Sequence, residues 1–123
     1  MTASNSLSNE QIARAISGHR FDAAYPYLED HVTWTLVGHG RLEGRDAFIG
    51  ACETTVAELN GVSTEFRQFR VLVADDWVVI DSLAAYTAAD EPTTNVASCD
   101  IYRFTDGRVT ELTSYNIETG EGS

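Results

Sequence analysis

An aspartate stands in the middle of Ser98-Cys99-Asp100-Ile101-Tyr102-Arg103-Phe104, a segment whose alternation reads as a β-strand. Ser98, Asp100, Tyr102 and Phe104 fall on one face, and Cys99, Ile101 and Arg103 on the other. Both faces carry apolar bulk, so Asp100 is turned toward something other than open water, where a carboxylate is costly unless paired, hydrogen-bonded or protonated. A desolvated carboxyl with a raised pKa can move a proton next to a carbonyl near neutral pH, an effect of roughly 10²–10⁴ in rate. The competing reading is a structural carboxylate bonded to Ser98, Ser114 or a backbone amide. His39, between two glycines, is the candidate for a second acid/base group. Trp34, sharing a face with Val32 and Leu36, offers a flat wall for a ring system. Ser114 and Asn116 are candidate orienting groups, Tyr86 and Tyr102 either cap a pocket or pack, and His19 and His31 read as surface or helix-end residues.

The turn after this strand decides what faces Asp100. A two-residue loop pairs it with Thr113; a three-residue loop, a type I turn with Gly107 in the bulge position, pairs it with Leu112. Asp106 suits such a turn and Gly107 the left-handed position. The second register collects Ser98, Asp100, Tyr102, Leu112, Ser114 and Asn116 on one face. Half of that face is apolar and half short polar groups, the makeup of a ligand pocket.

These residues need a scaffold. A first helix starts near Ser8, where Ser8 and Gln11 have capping-box spacing and Leu7 and Ile12 staple spacing, and ends at Gly18. A second, short helix is expected over about 21–29, with Asp22 as its cap and Pro26 in its first turn. "HVTWTLV" (31–37) alternates as a strand, and a brief return follows Gly40. A helix over about 46–60 presents Phe48, Ala51, Cys52, Thr55, Val56 and Leu59 on one side. Four strands then run over about 62–74, 77–88, 95–104 and 108–118, and the tail "ETGEGS" is expected to fray. Helices first and an antiparallel meander after them make the class α+β.

The 123 residues are expected to form a single domain over 1–123, with its core over about 8–118. The net charge of −11, with no Lys and only scattered Arg, argues against nucleic acid and anionic membranes as partners. No apolar run approaches the roughly 20 residues of a membrane span, and the start lacks a secretory leader, so a cytoplasmic location is expected. Cys52 and Cys99 read as buried free thiols. The histidines include no i,i+4 pair, and no metal site is inferred.

The order and spacing of "LEDHVTWTLVG", "GRLEGRDAF" and "CDIYRFTDGRVTEL" resemble the SnoaL-like, ketosteroid-isomerase-like branch of the nuclear transport factor two superfamily over about residues 8–118. The resemblance implies a cone-shaped curved sheet, antiparallel or mixed, with N-terminal helices on its concave face, a hydrophobic pocket, and a homodimer through the outer sheet face. It matches Asp100 to the isomerases' oxyanion-donating acid. It places Thr35 or Leu36 at the position of their Asp base, Ile12 near that of their Tyr, and Ser114 at the Asp of the related epoxide hydrolases. Polyketide cyclases, with one acid/base Asp on this strand, are more similar.

The expectation is therefore a cofactor-free enzyme acting on a hydrophobic, carbonyl-bearing small molecule. Asp100 and His39 would be catalytic, and Trp34, Leu36, Ile80, Ser98, Tyr102, Leu112, Ser114 and Asn116 would line the ligand site. The alternatives are a non-catalytic binding or dimerisation module of the same fold and, more remotely, lyase or hydrolase chemistry through an activated water.

Overall fold

Ser8 opens the chain's first helix as its sequence dictates. In the computed structural model, which describes residues 6–120, the Ser8 hydroxyl accepts from the Gln11 backbone N–H and the Gln11 side chain accepts from the Ser8 N–H. Two otherwise unpaired donors are thereby satisfied. Helix α1 spans Asn9–Ser17 and buries Ile12, Ala13, Ala15 and Ile16. The next helix differs from expectation: Phe21–Tyr27 is a 3-10 helix with Arg20, not Asp22, at its cap position and no side-chain cap. Pro26 lies near its end. The reason is that proline has no N–H and clashes with an α-helical turn behind it, whereas a short 3-10 segment needs only i→i−3 bonds, such as Leu28 N–H to Tyr25 C=O.

The remaining elements are β1 (Leu28–Leu36), β2 (Gly40–Glu43), α2 (Arg45–Glu58), β3 (Val62–Ala74), β4 (Trp77–Ala88), β5 (Thr94–Thr105) and β6 (Arg108–Thr119). They form one six-stranded sheet in the order β2-β1-β6-β5-β4-β3. All pairs are antiparallel except β1 with β6, which run parallel. The fold is α+β, a curved mixed sheet with the N-terminal helices packed on it. Glu118 and Thr119, expected to fray, stay paired with Val96 and Asn95; the tail's last three residues lie outside the described ones. Among the described residues no helix is long and apolar enough to cross a membrane.

Neither of the two expected registers of the last hairpin occurs. The loop is the two-residue one, Asp106-Gly107, with Thr105 opposite Arg108, but an irregularity follows between Arg103 and Phe104. Phe104 faces Val109 and Arg103 faces Glu111, so Thr110 is an extra residue on β6. Asp100 consequently sits opposite Ser114, Ser98 opposite Asn116 and Tyr102 opposite Leu112. The bulge turns the odd offset of the two-residue loop into an even one, and an even offset keeps the same side chains on the inner face.

Along that inner face the side chains change size. At one end Val78, Ile80, Tyr102, Phe104, Val109 and Leu112 are all but fully buried and meet Ile12, Ile16 and Phe21 from the helices. Each such side chain contributes about 1.5–3 kcal/mol by leaving water. Further along the same rows stand Ser82 and Ala84 on β4, Ser98 and Val96 on β5, and Ser114 and Asn116 on β6. The large residues close one end of the cone, and the small ones leave the other end open.

Candidate functional site

The space left by those small residues is a cavity of about 600 Å³ between the sheet, the C-terminal end of α1 and the inner side of α2. Its walls include Phe21, Trp34, Leu36, Phe66, Val96 and Leu112, with Ala51, Thr54 and Thr55 contributed by α2. Phe48 packs against the Trp34 ring, centroids 4.6 Å apart, and so holds that wall from behind. Among the lining residues there is no Arg or Lys, and the carboxylic acid is Asp100.

Asp100 is where the hydrogen bonds converge. Ser17 Oγ donates to Asp100 Oδ2 at 2.7 Å and lies 2.6 Å from Tyr102 Oη. Because the Ser17 hydrogen is committed to the carboxyl, the Tyr102 hydroxyl donates to Ser17. Ser114, directly across the β5–β6 ladder, also bonds the Asp100 carboxyl, and its oxygen accepts from Trp34 Nε1 at 3.0 Å. Two relays of donors, Tyr102 to Ser17 and Trp34 to Ser114, thus end on one carboxyl. Burial pushes the Asp100 pKa up and the bonds from Ser17 and Ser114 pull it down; burial is the larger influence, so the net direction is upward. The product is a carboxyl more basic than usual and held in one orientation, which suits it to take and return a proton.

A second polar pair lies two residues further along the chain from Ser17. His19 Nε2 is 3.0 Å from Tyr86 Oη, and both side chains line the cavity. The His19 ring contacts Phe21 and Phe66, with centroids 5.6 Å away in each case. Its Nδ1 is buried and has no hydrogen-bond partner among the described residues. Burial lowers the His19 pKa, leaving the ring neutral at neutral pH. The Tyr86 pKa is raised by burial and then by the Asp100 charge, so Tyr86 remains a phenol.

Of the residues singled out from sequence, Trp34, Leu36, Ser98, Asp100, Leu112, Ser114 and Asn116 come together at this cavity. Three do not line it. His39 occupies the β1–β2 turn, exposed, with its backbone N–H bonded to Leu36 C=O; the turn carries it past Leu36, the last residue of β1 at the cavity, into solvent. Ile80 shares the face of Asp100 but lies in the packed rows, with no exposed surface. Tyr102 is equally buried, and its hydroxyl is occupied by Ser17. Sequence reading missed Ser17, and placed His19 at a surface or helix end. Ser17 follows Ala13 by one helical turn, on the side that α1 buries, which is the one local signal that it points inward. Of the two thiols, Cys52 is buried and Cys99 only partly so; both are free.

An open cone with a carboxyl set in an apolar, ring-sized cavity defines a cavity protein of the nuclear-transport-factor-two-like, cystatin-like fold. The chain belongs to the SnoaL-like domain family, whose model matches residues 9–112. It is similar to an NTF2-like protein of unknown function from Cytophaga hutchinsonii, 28% identical, with a TM-score of 0.76 over 86% of this chain and 93% of that one. A candidate polyketide cyclase from Xanthomonas campestris is 21% identical, TM-score 0.65, over 88% of this chain and 92% of that one. An epoxide hydrolase from M. tuberculosis is 19% identical, TM-score 0.64, over 89% and 82% respectively. The last two likenesses establish the fold alone. No curated protein matches the chain by sequence.

Proposed function

We propose that the protein is a cofactor-free acid/base enzyme of the polyketide cyclase or isomerase type. Its substrate is a neutral, hydrophobic small molecule bearing a carbonyl, and Asp100 moves the proton next to that carbonyl. The observation that carries this reading is the Asp100 carboxyl itself, half-buried at the wall of an apolar cavity and oriented by Ser17 and Ser114. Trp34, Leu36 and Leu112 hold the ring system, while Ser98 and Asn116 give the mouth its polar contacts. The lack of a cationic lining residue favours a neutral ligand over an anionic one. Of the relatives' activities, cyclase chemistry fits better than epoxide opening, because Ser114 stands where the hydrolases are expected to have their Asp. His39, exposed, has no part in this mechanism.

The outer sheet face carries Leu72, Trp77, Tyr115 and Ile117, all exposed in the single chain, and supports a homodimer through that face. The unpaired Cys52 and Cys99 accord with a reducing, cytoplasmic location.

One observation favours a binding module instead: Ser17 and Ser114 already occupy the carboxyl of Asp100, as they would in a purely structural role. Incubation of β-tetralone, an enolisable aromatic ketone, with the protein in heavy water separates the two. Deuterium incorporation at the activated carbon, lost in Asp100→Asn, is expected of the enzyme. Binding without incorporation is the result that rejects catalysis.

A further inference from the structure

The last turn of α1 ties the two polar ends of the cavity together. Ser17 bonds Asp100 and His19 bonds Tyr86; all four line one cavity, and the Asp100 charge is felt at Tyr86. A ligand that fills the cavity therefore meets both ends. His19 takes its place with a left-handed backbone, φ 68, just after the helix-ending Gly18. That conformation costs an ordinary residue roughly 1–2 kcal/mol, although His is among the side chains found there more often than most. Here the end of α1 enforces it: Arg20 N–H bonds Ala15 C=O and His19 N–H bonds Ile16 C=O, the Schellman pattern of a terminating helix.

The hydrogens of this pair can be assigned. A neutral imidazole carries one N–H. Were it on Nδ1, a buried donor would be left with no acceptor, because Nδ1 has no partner among the described residues. With the hydrogen on Nε2, the ring donates to Tyr86 Oη across the 3.0 Å contact, and the orphan is only a lone pair. The Tyr86 hydroxyl hydrogen is then free, and Tyr86 lines the cavity.

We propose that Tyr86, held by His19, is the hydrogen-bond donor to the substrate's carbonyl oxygen, and that His19 is its positioning residue. This rests on the assignment of Asp100 as the base. In the step so defined, the Asp100 carboxylate takes a proton from the carbon next to the carbonyl. The C–H electron pair becomes the new carbon–carbon double bond, and the carbonyl π pair moves onto oxygen. The resulting enolate oxygen accepts from the Tyr86 O–H, which stays intact. Asp100 or solvent then returns a proton to carbon, so nothing is oxidised or reduced. Preorganised donors of this kind act most strongly where water is excluded.

Two measurements test the proposal, one of them without any ligand. Nitrogen NMR of imidazole-labelled protein near neutral pH is expected to show neutral His19 with its hydrogen on Nε2. Hydrogen on Nδ1, or a doubly protonated ring, overturns the proposal, because Tyr86 is then not left free to donate. Difference infrared spectra of bound, carbonyl-labelled β-tetralone are expected to show a C=O stretch displaced to lower frequency. The displacement is retained in Asp100→Asn and lost in Tyr86→Phe, with exchange in Tyr86→Phe falling about 10²-fold. His19→Asn accepts the left-handed backbone but cannot reach Tyr86, and it is expected to lose part of the displacement. Exchange that depends on Asp100 but not on Tyr86 overturns this inference alone. If wild-type protein neither binds nor exchanges β-tetralone, the Asp100 reading fails for this ligand class, and the His19 tautomer still decides whether Tyr86 is a free donor.

Discussion

At the Asp100 end of the cavity every polar hydrogen has a destination: Tyr102 gives to Ser17, Trp34 to Ser114, and both serines to the carboxyl. At the His19 end, one ring nitrogen has no partner among the described residues and the backbone sits in a conformation most residues avoid. The first end is rigid because it is satisfied. The second keeps hydrogen-bonding capacity in reserve, and a buried group with unused capacity is a place where a ligand gains most by binding. The same helix end supports both, so the contrast comes from what each side chain finds in the sheet: a carboxyl with two hydroxyls in one case, a lone phenol among aromatic rings in the other.

The contrast breaks if the two ends act in separate events. Asp100→Asn removes the base, and exchange of β-tetralone is expected to fall by roughly 10²–10⁴. If Tyr86 serves the same step, the double variant Asp100→Asn/Tyr86→Phe loses less than the product of the two single losses. Single-turnover rates for the four proteins check this, and strictly multiplicative losses would show that the two ends are independent.

Ser17→Ala strikes the satisfied end from the other side. It removes one donor from Asp100 and strands the Tyr102 hydroxyl, which has no solvent exposure. An unsatisfied buried donor costs about 1–3 kcal/mol, and denaturant midpoints at unchanged slope should show a loss of that size. Ser114→Ala should cost less, because Trp34 borders the cavity and its N–H can turn to water there. Both changes should push the Asp100 pKa further up.

Parts of this architecture are written locally and parts are not. Ser8 and Gln11 announce α1 because a capping box is complete within four residues. The strands announce themselves by alternation, and the face of Asp100 is recoverable because registers differing by two residues keep the same parity. Depth is another matter. Alternation puts Ile80 and Tyr102 on the face of Asp100 without saying that their rows are packed solid, since that depends on the helices covering them. The bulge at Thr110 carries no glycine or other flag. Ser17 and His19 gain their roles only when a helix end meets strands some seventy to eighty positions later, a juxtaposition without any local pattern.

The two ends should also respond to pH with opposite sign. The Asp100 pKa is raised on folding, so the folded state holds its proton where the unfolded chain has released it. That contribution favours folding at acid pH and is lost as pH rises from about 3.8 through the folded pKa. The His19 pKa is lowered from 6.5, so its contribution is present above that value and is lost as pH falls through the folded pKa. Melting temperature against pH should therefore show Asp100→Asn gaining on wild type toward neutral pH and converging with it at acid pH. His19→Asn should show the reverse, its disadvantage shrinking as pH falls. Parallel curves for all three proteins would contradict both shifts.

The smallest effect is expected where sequence alone put a second catalytic group. The β1–β2 turn rests on its backbone: Gly38 has φ 87 and Gly40 φ 141, and the His39 N–H reaches Leu36 C=O. Gly38→Ala should cost about 1 kcal/mol, because a Cβ is strained at that φ although open space surrounds it. His39→Ala keeps the backbone bond and removes only an exposed ring, so its stability should stay within about 0.5 kcal/mol of wild type. Its exchange activity should be unchanged. If His39→Ala instead lowers exchange while leaving the fold intact, the mouth of the cavity closes over the ligand far enough to bring that turn into contact with it. The division of labour would then run between three groups instead of two.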